Sequence, residues 1–98
     1  GLSFPWKPVL LTRQTPQALR AALEAGQPTM IYGMGHTGIP HVVIPLEYSA
    51  PHWLMLDPGY PREQNPARWS EEQLLRWWKN FLFIYPAGTM LTLEESEG

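Results

Sequence analysis

The period of the apolar positions changes several times along the chain. Val9-Leu10-Leu11 is a short continuous apolar run and reads as a strand. Between Pro16 and Ala25 the chain consists of strong helix formers, and Leu19, Ala22 and Leu23 recur at i, i+3 and i+4, one face of a helix. Thr15 and Pro16 supply an N-cap and a first helical residue, and Gly26 stands at a favoured helix stop, so a helix of about ten residues is predicted. Thr29-Met30-Ile31-Tyr32 is short, apolar and partly β-branched, and predicts a second strand.

A glycine-rich loop, Gly33 to Pro40, leads to a run of a different kind. His41 to Leu46 and His52 to Asp57 are two apolar arms separated by Glu47 to Pro51, which predicts an antiparallel hairpin. Neither arm alternates apolar with polar residues, so the sheet is expected to be covered on both faces. Pro45 cannot donate to a ladder and marks either the approach of the strand end or a bulge. Asp57-Pro58-Gly59 stops the second arm, and Pro61 and Pro66 predict an irregular stretch. Ser70-Glu71-Glu72-Gln73 is a capping-box pattern opening a helix that ends near Asn80, with Leu74, Leu75, Trp77, Trp78 and Phe81 as its apolar stripe. Phe81 to Tyr85 and Thr89 to Leu93 then read as strands around a Pro86-Ala87-Gly88 turn. The sequence contains no internal repeat. The predicted class is α+β, a small, mostly antiparallel sheet with two helices.

Composition narrows this picture. The 98 residues are 44% hydrophobic and 16% charged, enough for one small core, so residues 1–93 are expected to form a single domain and 94–98 an acidic tail. Five Trp, four Tyr and three Phe supply bulk that so short a chain needs. Seven basic residues against nine acidic ones, with Glu94, Glu95 and Glu97 at the end, give no basic footprint for nucleic acid. No apolar run approaches the ~20 residues of a membrane span, and the N-terminus lacks the pattern of a signal peptide. Gly1 in place of an initiator Met is compatible with a fragment or a processed product. Cysteine is absent, which excludes a disulfide scaffold, a thiolate zinc site and a cysteine nucleophile within these residues.

The candidate chemistry lies in the hairpin. If its turn is centred on Ser49, residue numbers that add to 98 face each other, and His41 stands across from Asp57, the only aspartate. Opposed residues share a face with Cβ atoms ~4.5–5.5 Å apart, so a carboxylate there could hold and orient an imidazole as in a base and orienter pair. A one-residue slip would put them on opposite faces. The bland alternative is that Asp57 caps its own Asp-Pro-Gly turn and His41 is a plain strand-end residue.

Other motifs carry less. Gly33-Met34-Gly35-His36-Thr37-Gly38 matches G-x-G-x-x-G, but a β-branched strand follows where a dinucleotide site needs a helix N-terminus. His36, His41, His52 and Asp57 have no recognised zinc spacing, so no metal and no cofactor is expected. Trp69, Trp77 and Trp78 could form a ligand platform, but aromatic residues at helical spacing in a small domain are expected in the core.

The segments Thr15 to Leu19, Ala22 to Pro28, Gly38 to Ile44 and Trp53 to Gly59 together resemble the second half of papain-like cysteine peptidases, especially the bacteriocin-processing group and the secreted papain-like effector proteases of bacteria. In those families a histidine opens one strand as H-x-V-V, here His41-Val42-Val43-Ile44, and an aspartate or asparagine ends the next, here Asp57-Pro58. The likeness spans about residues 15 to 85, and a serine-capped helix with a Trp, as in Ser70 to Trp78, also fits.

The resemblance implies that His41 is the base and Asp57 its orienter. It also implies a nucleophilic cysteine and an oxyanion-hole glutamine on an earlier helix, which these residues do not contain. His41 is followed by Val42-Val43-Ile44-Pro45-Leu46 rather than the family's glycine-tyrosine continuation.

Three readings remain open, of which the first is the expectation and the other two are its alternatives. The chain is a papain-like remnant that binds a peptide or protein without cleaving it; or it is the base-and-orienter half of a protease effector or toxin, completed by a Cys-bearing segment or companion chain; or it is an unrelated α+β interaction module. A protein or peptide partner is expected in each, self-association is compatible with the apolar content, and a secreted or periplasmic bacterial setting fits the resemblance. No nucleic-acid or membrane-spanning role is expected.

Overall fold

The computed structural model describes residues 5–34, 40–59, 61–78 and 86–95. Six strands and two helices follow one another as β1 (Trp6–Leu11), α1 (Pro16–Glu24), β2 (Thr29–Met34), β3 (Pro40–Ser49), β4 (His52–Leu56), β5 (Ala67–Ser70), α2 (Glu71–Trp77) and β6 (Thr89–Glu95), with a 3₁₀ turn at Arg62–Gln64. The strands form one sheet in the order β1-β6-β2-β3-β4-β5, and every neighbouring pair is antiparallel. The α+β class is as the sequence predicts.

Local chemistry accounts for both helices. Thr15 Oγ1 accepts from the Ala18 N–H at 3.2 Å, and Pro16 occupies the first turn, where its missing donor costs nothing. At the other end Gly26 N–H donates to the Leu23 carbonyl and Gln27 N–H to the Ala22 carbonyl, closing α1 in a Schellman turn. Gly26 adopts φ 74°, which L side chains rarely accept. In α2, Gln73 N–H donates to Ser70 Oγ at 3.1 Å and Ser70 N–H to Gln73 Oε1 at 2.8 Å, a complete capping box. Ser70 is also the last residue of β5, so strand and helix join without a loop.

The two helices lie on one face of the sheet. Leu19 and Ala22 of α1, Leu74 of α2 and Trp78 just past its end enclose Ile31, Val43, Trp53, Met55 and Met90, which the registers place on a common side. The Trp78 indole N–H donates to the Thr89 carbonyl at 2.9 Å in the buried interior and ties the end of α2 to the start of β6. Trp77 packs edge-on against Trp69, with ring centroids 5.4 Å apart, so these tryptophans are packing residues, Trp78 fully and the other two partly buried.

Several sequence expectations need correction. β3 does not end near Leu46; it continues to Ser49, and the turn is Ala50-Pro51, joined by a cis peptide. The sheet is not covered on both sides among the described residues: Met30, Tyr32, Val42, Ile44, Leu54, Leu56 and Leu91 on the far face are half-buried, and Leu10 is exposed. The stretch after Pro61 is not wholly irregular, because Ala67–Ser70 pairs with β4 as an edge strand, where a preceding Pro66 withholds no ladder donor. α2 stops at Trp77 rather than near Asn80, and Leu75 points outward. Glu94 and Glu95 are not part of a detached tail, since they extend β6 opposite Lys7 and Trp6. The strand expected at Phe81 to Tyr85, and the place of Phe81 in the helix stripe, lie outside the described residues.

Candidate functional site

His41 and Asp57 meet. The His41 Nε2 forms a hydrogen-bonded ion-pair contact with Asp57 Oδ1 at the point where β3 begins and the chain leaves β4. The register that brings them together is not the one the sequence suggests. Beside the turn, Ser49 pairs with His52, Tyr48 with Trp53 and Glu47 with Leu54. Beyond it, Pro45 pairs with Met55 and Ile44 with Leu56, so Leu46 is an extra residue bulged out of β3.

That single residue sets the chemistry. With the turn register unbroken, Asp57 would stand across from Ile44, and strand alternation would turn it to the face opposite His41. With Leu46 bulged, Asp57 falls in line with Val43, on the same face as His41 and two residues away along the strand. This diagonal spacing of ~7–8 Å between backbones is within reach of a histidine ring. The bulge lies beside Pro45, one of the two outcomes its sequence predicted.

The pair is held more tightly at the acid than at the base. Asp57 is buried, with 11% of its side chain exposed, whereas 28% of the His41 side chain is open to solvent. Asp57 Oδ1 also accepts from the Gly59 N–H at 2.9 Å, the Asx-type turn of an Asp-Pro-Gly corner. Turn capping and histidine pairing are therefore simultaneous uses of one oxygen, not alternatives. The Asp57 main chain is clasped by Asn65, whose Oδ1 accepts from the Asp57 N–H at 2.7 Å and whose Nδ2 donates to the Asp57 carbonyl at 2.9 Å. The same Nδ2 reaches the Pro61 carbonyl at 3.2 Å, fastening the intervening loop.

On the other side of β3, His41 pairs with Gly33 of β2. A Cβ at Gly33 would stand 2.6 Å from the Trp77 carbonyl and 2.8 Å from its ring, so the glycine admits the end of α2 beside the histidine. Chemically, an imidazole anchored at Nε2 is fixed in ring plane and, when neutral, presents Nδ1 as its acceptor, the requirement for a general base.

The remaining candidates do not join this site. His52 is exposed at the start of β4, in the row of β4 side chains that alternates away from Trp53 and Met55. His36 lies outside the described residues, and among those described no three His, Asp or Glu side chains gather as a metal-binding group. Gly33 and Met34 belong to β2 and Pro40 opens β3, so the segment around the G-x-G-x-x-G motif joins two antiparallel strands. No described helix is long and apolar enough to cross a membrane. Gly59 and Asn65 were not legible as site residues, although Asp-Pro-Gly with an Asn a few residues on is a usable signal for a side-chain-braced corner.

No family model, no curated protein and no solved structure was found to match this chain.

Proposed function

We propose that these residues supply the base-and-orienter half of a papain-like cysteine hydrolase site, with His41 as general base and Asp57 as its orienter. The observation that carries this reading is the His41 Nε2 to Asp57 Oδ1 contact, with the carboxylate braced and the imidazole left partly open. A thiol brought to Nδ1 would give up its proton there, and Asp57 would stabilise the imidazolium that results. The thiolate would attack a peptide carbonyl carbon, the C–N bond would break as the proton on His41 passes to the departing amine, and a water deprotonated by His41 would then cleave the thioester, releasing the acid and returning the thiol. The strand-opening His41-Val42-Val43 and the strand-ending Asp57-Pro58 support the papain-like assignment by resemblance.

The thiol is not among these 98 residues, so these residues alone are expected to turn over no peptide substrate. The missing thiol equally favours a second reading, a papain-like remnant that binds a protein or peptide segment without cleaving it. The native gene product containing these residues separates the two. Its hydrolysis of an unfolded protein substrate is measured alongside His41→Ala and His52→Ala. Iodoacetamide-sensitive turnover, lost in His41→Ala and kept in His52→Ala, is the expected result. Absence of turnover, or turnover indifferent to His41, contradicts the hydrolase reading.

A further inference from the structure

The corner that follows β4 does more than end a strand, and its glycine is the clue. An ideal Cβ built on Gly59 would lie 2.5 Å from His41 Cε1, 3.2 Å from His41 Nε2 and 3.3 Å from Asp57 Oδ1. Its backbone lies outside the left-handed region, in contrast to Gly26 and Gly88 with φ 74° and 77°, so conformation alone would tolerate alanine there. What excludes a side chain is the imidazole itself. The same residue donates its N–H to Asp57 Oδ1, so Gly59 both leaves space for the ring and orients the oxygen that receives it.

Asn65 completes the device from the other end of the loop. Its amide bonds both the N–H and the carbonyl of Asp57, which fixes the main chain from which the carboxylate projects. A three-residue 3₁₀ turn, Arg62–Gln64, places it there, and its Nδ2 is shared with the Pro61 carbonyl. Neither bond helps to pair a strand, since Asp57 lies just past the end of β4. Their effect falls on Asp57 and, through it, on His41.

We propose that Gly59 and Asn65 are positioning residues for the His41–Asp57 pair: Gly59 by the Cβ it lacks and the N–H it donates, Asn65 by its two-point hold on the Asp57 main chain. This rests on the reading of that pair as base and orienter. Gly59→Ala pushes the ring off Asp57 Oδ1 while keeping the backbone, and Asn65→Ala loosens the main chain that carries the carboxylate without adding an atom. Each uncouples the pair without touching a substrate.

The test records the imidazole nitrogen resonances of His41 in the wild-type chain, Gly59→Ala, Asn65→Ala and the loop control Glu63→Ala, all checked for folding by amide dispersion. Where the gene product turns over substrate, kcat and KM are measured in the same variants. In the wild type and Glu63→Ala, neutral His41 is expected to carry its proton on Nε2. In Gly59→Ala and Asn65→Ala that preference is lost, and kcat falls by about 100-fold with KM little changed, as for a misplacement of the reacting groups. A folded Gly59→Ala and a folded Asn65→Ala that both keep the Nε2–H form and wild-type kcat overturn the assignment while leaving the pair intact. If one variant fails to fold, the other decides. Absence of the Nε2–H form in the wild type itself would instead overturn the underlying reading of the pair.

Discussion

Asp57 carries two loads on one oxygen, and His41 carries one. Oδ1 accepts from the Gly59 N–H and from the imidazole, while Asn65 grips the adjacent main chain. The two residues should therefore differ in what they cost when truncated. His41→Ala removes a partly exposed ring and leaves the carboxylate its Gly59 donor, so the loss of stability is expected to stay below about 2 kcal/mol. Asp57→Ala strands both the Gly59 N–H and His41 Nε2 and is expected to cost more, about 2–3 kcal/mol. Urea denaturation of the two variants gives the order directly, and a larger loss for His41→Ala would identify the histidine as a structural element of the core rather than a half-open base.

At the scale of elements, the bulge at Leu46 decides which side of the sheet the chemistry is on. Leu46 is 46% exposed, so its extra backbone unit matters more here than burial of its side chain. Leu46→Gly is expected to fold and keep the His41–Asp57 contact, with a cost of about 1 kcal/mol or less, because bulges accept glycine readily. Deletion of Leu46 removes the unpaired residue, so the Glu47–Leu54 pair is followed directly by Pro45–Met55 and both parts of the hairpin keep their registers. The deletion variant is therefore expected to unfold cooperatively and to keep the His41–Asp57 contact, and loss of either in thermal melts or histidine side-chain spectra would show that the pairing on the two sides of the bulge does not by itself set the register.

The same strand shows what could and could not be read from the sequence. Capping at Thr15 and Ser70 and the stop at Gly26 were legible because each acts over three or four residues and has its own chemistry. That His41 and Asp57 share a face was also reached, but through a register differing from the real one by an even number of residues. The turn position was misplaced and the bulge was not counted, and their errors cancelled in parity. The edge strand at Ala67–Ser70 was missed because its signal is Trp69 lying across from Trp53, a contact between residues distant in sequence that no local pattern reports. Gly59 and Asn65 escaped for the same reason, since their meaning exists only once the loop has folded back on Asp57.

At the scale of the whole molecule, both described helices pack on one side of a six-stranded sheet, and among the described residues the apolar far face is half-buried. His41 and Asp57 sit on the helix-covered side, where α2 approaches through the space at Gly33 and the corner at Gly59 leaves room for the imidazole. This arrangement makes one central demand: His41 must hold its proton on Nε2, toward Asp57, and keep Nδ1 as the free acceptor. Long-range ¹H–¹⁵N correlation spectra of the histidine side chains measure this directly, taken above the ordinary titration range of histidine. The expected result is a pyrrole-type Nε2 and a pyridine-type Nδ1 for His41 in the wild type, giving way to mixed tautomers in Asp57→Ala. A proton resident on Nδ1, or a His41 signature that Asp57→Ala leaves unchanged, would contradict the base-and-orienter geometry.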